Sequence, residues 1–513
     1  MVTFIARRLI VSVLLLLGAA FIMYQLTALA GDPLEEFYQS RLPNRDQLIA
    51  ARTEALQLNV PAPLRFFLWL GGAAKCLIPF ANTCDLGLTA QGQKVTDLLP
   101  MAMGSTLQLV TAATVLAIVV GITFGIVSAL RQYTTFDFVM TFVSFLLYSL
   151  PSFWVGILLK EFVAIRFNDF LGDPQLGPVW ITVIALVIGL LWVGLVGGEW
   201  RRRVSVFIVS TLATAAVLVY FSLTDWFLHP SIGPVFLLIM SAGIGLVLST
   251  LMAGLRNRRA LLTAGIQVVL TMICYFALQG LLDISSIYTL LILGLITVVV
   301  GLATGYFVGG PDRGLNMRVG AFTAVLSASL ILVDRLMQSW PQYLGESAIN
   351  GRPIATVGSQ TPNLGGDIWI HGIDSFTHLL LPTLTLMLIG FAGYTRYSRA
   401  GMLDVLNQDY IRTARAKGMP ERVVIVRHAF RNSLIPIATI VASDFGALLG
   451  GAIITEQVFA FSGMGALFQR GISLPDPNPV MGYFVVIAVM VIVFNFIADM
   501  TYSALDPRVR TRG

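Results

Sequence analysis

The sequence predicts an all-helical integral membrane protein, and three observations carry that prediction. Of its 513 residues, 56% are hydrophobic and only 12% charged, about half the charged share of a soluble globular chain, and the mean hydropathy is +0.82. Apolar runs long enough to cross the hydrocarbon core, about 20 residues in helical form, recur from end to end. Taken alternately, one set of loops holds the arginine clusters, while the short intervening loops at 224–233 and 281–286 carry no lysine or arginine, the signature of span ends held on one side of a bilayer.

In order, the apolar runs place spans near 9–30, 104–129, 137–164, 178–197, 204–221, 233–253, 260–280, 287–308, 319–337, 378–395, 433–457 and 479–504, about twelve helices. The first follows Arg7-Arg8 and ends Ala28-Leu29-Ala30, like a secretory signal. It is longer than the about 7–15 residues of a signal core and holds Gln25 and Thr27, which predicts an uncleaved first helix. One set of loops carries Arg7 and Arg8, Arg131, Arg201 to Arg203, Arg256, Arg258 and Arg259, Arg313 and Arg318, the segment after Arg396, and Arg508, Arg510 and Arg512. These are predicted to face the cytoplasm, with both termini. The loops around Asp225 and Asp283 carry no lysine or arginine and are predicted to face outward, with Trp226, Trp340 and Trp369 as interfacial anchors. The net charge of +6 thus reads as topology. No aromatic-basic stripe points to nucleic acid.

Two outer segments are long, 31–103 and 339–377. The first is expected to be partly helical around Asp46 to Leu56, and the second irregular, rich in glycine, proline and asparagine. Neither is large enough for a separate catalytic domain. Cys76 and Cys84 share the first outer loop, where a bridge would persist if the geometry permits one. Cys274 lies in an apolar run and reads as a small buried hydrophobe.

No Walker glycine-lysine loop, His-Glu-x-x-His pattern, paired-cysteine metal motif or Gly-x-Ser-x-Gly elbow occurs. The expectation is a chain that is not an enzyme and holds neither a metal nor a cofactor of its own. Its most distinctive segment is hydrophilic and basic: Asp409, Tyr410, Ile411, Arg412, Thr413, Ala414, Arg415, Ala416, Lys417 and Gly418. A helix ending at Gly418-Met419-Pro420, followed by a second helix from Glu421 to Asn432, would lie flat on the cytoplasmic face. Ala414 and Ala416 would let a partner approach closely, and Arg412, Arg415 and Lys417 would meet its carboxylates. The alternative is a positive-inside loop reaching to lipid headgroups.

Inserted spans between 177 and 338 read Leu, Val, Ile, Ala and Gly, with Gln267 the polar exception. Asp444 and Glu456 fall in or at the end of the span after the basic segment, where an unpartnered carboxylate is costly. They read either as a polar lining of a solute path or as partners to another helix or a loop, the latter favoured for Glu456.

Asp409 to Gly418, followed by Arg427-His428-Ala429-Phe430-Arg431-Asn432-Ser433-Leu434-Ile435-Pro436, resembles the first permease subunit of dipeptide and oligopeptide ABC importers. So do Gly31-Asp32-Pro33, Ser149-Leu150-Pro151-Ser152-Phe153, His378 with Pro382, Gly450-Gly451 with Glu456 and Phe459, Gly463 with Gly465, and Asp506-Pro507-Arg508. Together these cover residues 1–165 and 340–513. The resemblance implies a type I importer fold of six core helices, with residues 409–418 as a coupling helix that inserts into an ATPase. Arg412-Thr413-Ala414 stands where the wider superfamily carries Glu-Ala-Ala, and Phe430-Arg431 where it carries Leu-Pro. Residues 1–176 and 339–513 would then form the permease core, the latter with a cytoplasmic coupling loop at 396–435. Residues 177–338 add about six helices, an even number that leaves the flanking halves in register with the membrane.

The resemblance further implies a prokaryotic cytoplasmic membrane, a second similar permease subunit, two ATPase domains holding ATP and Mg2+, and an external substrate-binding protein. The implied solutes are di- and oligopeptides, with haem, nickel chelates and glutathione as alternatives. An ion-coupled secondary transporter is the rival from another class. It calls for an internal repeat between the halves, and no convincing one is visible.

Overall fold

The computed structural model describes residues 2–39, 43–76, 84–434, 436–438, 440–441, 444 and 452–505. Part of the predicted span at 433–457 lies outside that set, as do the side chains of Arg7 and Arg8, Ile435, Gly450, Gly451 and the tail bearing Asp506, Pro507, Arg508, Arg510 and Arg512. The described chain is helical and divides into two compact units, one of Met1–Ala164, Thr356–Ser359 and His378–Gly513, the other of Ile165–Ala355 and Gln360–Thr377.

In chain order the first unit opens with α1 (Val2–Leu29), α2 (Glu35–Tyr38), α3 (Arg45–Ala55), α4 (Ala62–Lys75), α5 (Val95–Leu130), α6 (Thr135–Ser149) and α7 (Ser152–Leu159). The second holds α8 (Arg166–Phe170), α9 (Pro178–Val196), α10 (Trp200–Leu223), α11 (Gly233–Met252), α12 (Arg258–Ala277), α13 (Gln279–Asp283), α14 (Ile287–Val308) and α15 (Arg313–Gly345). The chain continues through α16 (Ile368–Leu406), α17 (Asp409–Ala416), α18 (Glu421–Val423), α19 (Ile453–Val458), α20 (Met464–Ser473) and α21 (Pro477–Leu505).

Among the described residues nine helices are long and apolar enough to cross a membrane, or up to ten if the bent pair α6 and the segment from Ser152 is one span. That pair covers the span read at 137–164 and adds a sharp bend to it. Proline carries no N–H and disfavours helical geometry in the residue before it. Leu150 is accordingly extended (ψ 133°), Pro151 starts a new helix, and the axis turns by 104°. Several helices outrun their apolar runs, α16 most of all, because polar flanks continue the same hydrogen-bond ladder.

In the first unit α1, α4, α5, α20 and α21 share a core of Tyr24, Phe66, Trp69, Leu99, Met464 and Met481. The segment between α1 and α5 is tied down rather than loose. Trp69 donates its indole N–H to the Leu86 carbonyl at 3.1 Å, and Cys76 and Cys84 are joined in a disulfide. Arg52 of α3 donates to the Ala90 and Pro33 carbonyls at 3.2 and 3.0 Å and pairs with Glu36. Asp476, buried just before α21, accepts from the Ala90 and Asn478 backbone N–H groups. Asn478 in turn donates to the Leu88 carbonyl at 2.7 Å. Burial pushes the Asp476 carboxyl up to about 6, against the lowering effect of those N–H donors and of Arg52.

In the second unit α9 packs on α10, α14 on α15, and α11 and α12 on each other and on α15. Small residues permit the closest approach: a side chain on Gly305 of α14 would strike the Asn316 carbonyl of α15. Two of the buried polar side chains tie elements together, while the Ser241, Thr323 and Ser327 hydroxyls have no hydrogen-bond partner among the described residues. Gln267 donates to Thr304, and Asp334 accepts from the Ile232 and Gly233 N–H groups that begin α11 and from Gln338. The apolar window of α10 has no residue buried within the chain, so its surface is left for hydrocarbon or another protein. Trp369 is not the interfacial anchor expected: it is buried and donates to the Leu282 carbonyl at 2.8 Å.

Candidate functional site

The basic segment folds as α17, a short amphipathic helix. Asp409 in its first turn and Arg415 in its last complement the helix dipole, and Thr413 returns its hydroxyl to the Asp409 carbonyl at 2.8 Å. Ile411 and Ala414, three residues apart and so on one face, are buried with Ala129, Met402, Val424 and Ala429. Ala414 therefore packs inward, correcting the expectation that it admits a partner. Asp409, Tyr410, Arg412, Thr413, Arg415, Ala416 and Lys417 are exposed.

Gly418 ends the helix with φ +72°, a left-handed conformation that glycine adopts without the steric cost other residues incur. Pro420 precedes the next helix, and there Glu421 receives Arg415 through two bonds, Nε to Oε2 at 3.1 Å and Nη2 to Oε1 at 2.6 Å. The sequence had assigned Arg415 to a partner's carboxylate. Its fork is instead matched within the chain, and the Arg415 guanidinium holds the Glu421 carboxyl below the usual carboxylate range. Tyr410 accepts from Asn432 at 3.0 Å. Arg412 lies 3.7 Å from Asp409 in an exposed pair.

The end of α16 that leads into α17 is held by a pairing that the sequence reading missed. Asp137, buried at the start of α6, accepts from Arg399 of α16 at 2.7 and 2.9 Å, from Ser128 of α5, and from the Tyr133 N–H at 3.1 Å. Its signal was an aspartate just inside an apolar helix, one turn after the N-cap Thr134.

Deeper along α16 lies a cavity of about 300 Å³ walled by α5, α6, α16 and Asp444. Ala113, Ala117, Gly390 and Gly393 leave the space open. Thr114, Tyr148, Tyr394, Arg396, Tyr397 and Asp444 give it polar groups. The Arg396 guanidinium lies 3.7 Å above the Tyr148 ring centre and 5.5 Å from that of Phe145. Arg396 entered the sequence reading only as the start of the basic segment. The apolar run ends at 395, but the helix continues to Leu406 and so places Arg396 within it.

Glu456, the other carboxylate proposed for a solute path, does not line this cavity. One oxygen accepts from Thr106 at 2.6 Å, and the other from the Gly465 and Ala466 N–H groups at 2.8 and 3.1 Å. It caps the N-terminus of α20. A side chain on Gly463 would occupy the space of its carboxyl, which explains glycine there.

Residues 186–511 match the family described as binding-protein-dependent transport system inner membrane component. Over 183 residues the chain is 40% identical to the oligopeptide transport system permease protein OppB of Mycobacterium bovis, covering 36% of this chain and 54% of that protein. It is 46% identical over 136 residues to the oligopeptide transport system permease protein AppB of Bacillus subtilis, 26% of this chain and 43% of that one. It is 39% identical over 216 residues to the glutathione transport system permease protein GsiC of Pectobacterium atrosepticum, 42% and 64% respectively. The chain spans about half the length of the curated relatives it matches.

Proposed function

The chain belongs to the family of binding-protein-dependent transport system inner membrane components, and from that premise we propose that it is the permease subunit of an ATP-driven importer of di- and oligopeptides. It is a multi-pass membrane protein. In this reading it pairs with a second, similar permease subunit, two ATPase domains supply the hydrolysis with their own ATP and Mg2+, and an external binding protein delivers solute. Both termini and α17 lie in the cytoplasm.

The observation that carries the reading is the two-faced α17. Ile411 and Ala414 fix the helix to the body of the chain, while Tyr410, Thr413, Ala416 and Lys417 are left facing outward. A helix gripped from within and bare on the other side transmits a partner's movement as a rigid lever. Arg399 on Asp137 fastens α16, the span next to that lever, to α5 and α6. ATP-driven closure of the partners would rock these spans between inward-open and outward-open states.

The names of the relatives favour peptide cargo, and the likeness to a glutathione permease extends the class to small peptide-like thiols. The test is uptake into proteoliposomes by the complete complex. Labelled dipeptide should accumulate only with ATP inside the ATPase-facing compartment, and uptake that ignores nucleotide would overturn the proposal.

A further inference from the structure

Two opposite charges line the cavity on α16 without neutralising each other. Among the described residues neither Asp444 nor Arg396 forms an ion pair, although both line one cavity. Arg396 donates Nε to the Ala392 carbonyl at 3.3 Å and rests on Tyr148, and its Nη groups form no hydrogen bond among the described residues. Tyr394 is 3% exposed, and its hydroxyl has no hydrogen-bond partner among the described residues. It shares the cavity wall with Asp444. A buried hydroxyl left unbonded costs free energy unless a ligand or water supplies the bond.

We propose that this cavity is a binding station for a short zwitterion with a free ammonium and a free carboxylate. Asp444 and the Tyr394 hydroxyl receive the ammonium, and the Nη groups of Arg396, held flat on Tyr148, receive the carboxylate. The inference rests on the peptide-import reading and deepens it by assigning the two ends of the cargo. Guanidinium forks match carboxylates in a bidentate geometry that ammonium groups cannot reproduce.

Size sets the class further. A sphere of about 300 Å³ is about 8 Å across, and two extended residues reach about 7 Å. The station therefore suits a dipeptide with both termini free. A longer peptide would present its ends here one at a time.

The experiment uses the complete complex in proteoliposomes with dialanine as probe, reading ATP-dependent uptake. Asp444→Asn and Arg396→Met should each lower uptake about tenfold, the scale of one lost charge-assisted bond. Asp444→Glu and Arg396→Lys should recover part of it. Tyr394→Phe, which removes one oxygen and disturbs packing least, should lower uptake severalfold and serves if a charge variant fails to assemble on size exclusion. Uptake at the parental rate by the variants that assemble would overturn the proposal, as would Asp444→Glu behaving no better than Asp444→Asn. Absence of ATP-dependent dialanine uptake by the parent complex would instead sink the peptide-import reading on which it rests.

Discussion

Arg399 grips Asp137 with two hydrogen bonds, Nε at 2.7 Å and Nη2 at 2.9 Å, joining residues 262 apart in sequence. The carboxylate is buried while the guanidinium is 29% exposed. The contact binds α16, the helix before α17, to the α5–α6 hairpin, so it carries stability and, in the proposed importer, would also transmit movement.

Removing one partner strands the other charge. Asp137→Ala should therefore destabilise the chain by about 2–3 kcal/mol, below the full cost of breaking a buried pair because Arg399 retains solvent contact. Replacing Arg399 by Met in that background should recover part of the loss. Thermal unfolding of the purified protein in detergent checks both, and equal stability of Asp137→Ala and the parent would refute the contact's role.

At the end of α17, Gly418→Ala should cost about 1–2 kcal/mol locally through its left-handed backbone, with no steric contribution, since nothing lies within 4 Å of the added methyl. Asn, which tolerates that region, should be milder, and Val harsher. Uptake by the assembled complex should fall in the order Asn, Ala, Val, with membrane insertion unchanged. A different order would show that bulk, not backbone, governs this position.

The Arg415 fork on Glu421 yields a swap test. Arg415→Glu alone should reduce uptake by placing two carboxylates together, and adding Glu421→Arg should restore most of it. As an exposed pair it contributes only about 0.2–1 kcal/mol to stability, so the readout is coupling rather than melting. Failure of the swap to restore uptake would assign Arg415 to an external partner instead.

Asp476 sets a pH dependence of known sign. Its folded-state carboxyl titrates near about 6, above the about 3.9 of an unfolded aspartate. The folded chain thus holds the extra proton between those values, and stability is greatest below the lower one and falls as pH rises through the upper. The size is about 2–3 kcal/mol for a shift of roughly two units. Asp476→Asn should flatten melting temperature across pH 4–7 (about the window named), and an unchanged slope would exclude Asp476 as its source.

Much of the fold was legible because hydropathy records spans directly: α9 to α12, α14 and α15 fall where the apolar runs between 177 and 338 place them. The break at Pro151 was not, since a proline within an apolar run is compatible with a kinked span or with a turn of 104°. The amphipathic α17 could be read as a helix, yet which of its alanines faces inward depends on Val424 and Ala429 folding back over it. Asp137 and Arg396 escaped notice for one reason: each lies within a helix but at the edge of an apolar run, and composition assigns such residues to the neighbouring loop. Their partners, Arg399 and Tyr148, become visible only when distant spans are brought side by side.

The account's central claim is that the outer face of α17 is gripped by an ATP-hydrolysing partner. A photo-crosslinking amino acid at Ala416, compared with one at Ala414, tests it most directly in the assembled complex. Ala416 should capture the ATPase subunit and Ala414 only this chain itself. Capture of lipid alone at Ala416, with solute uptake indifferent to nucleotide, would contradict it.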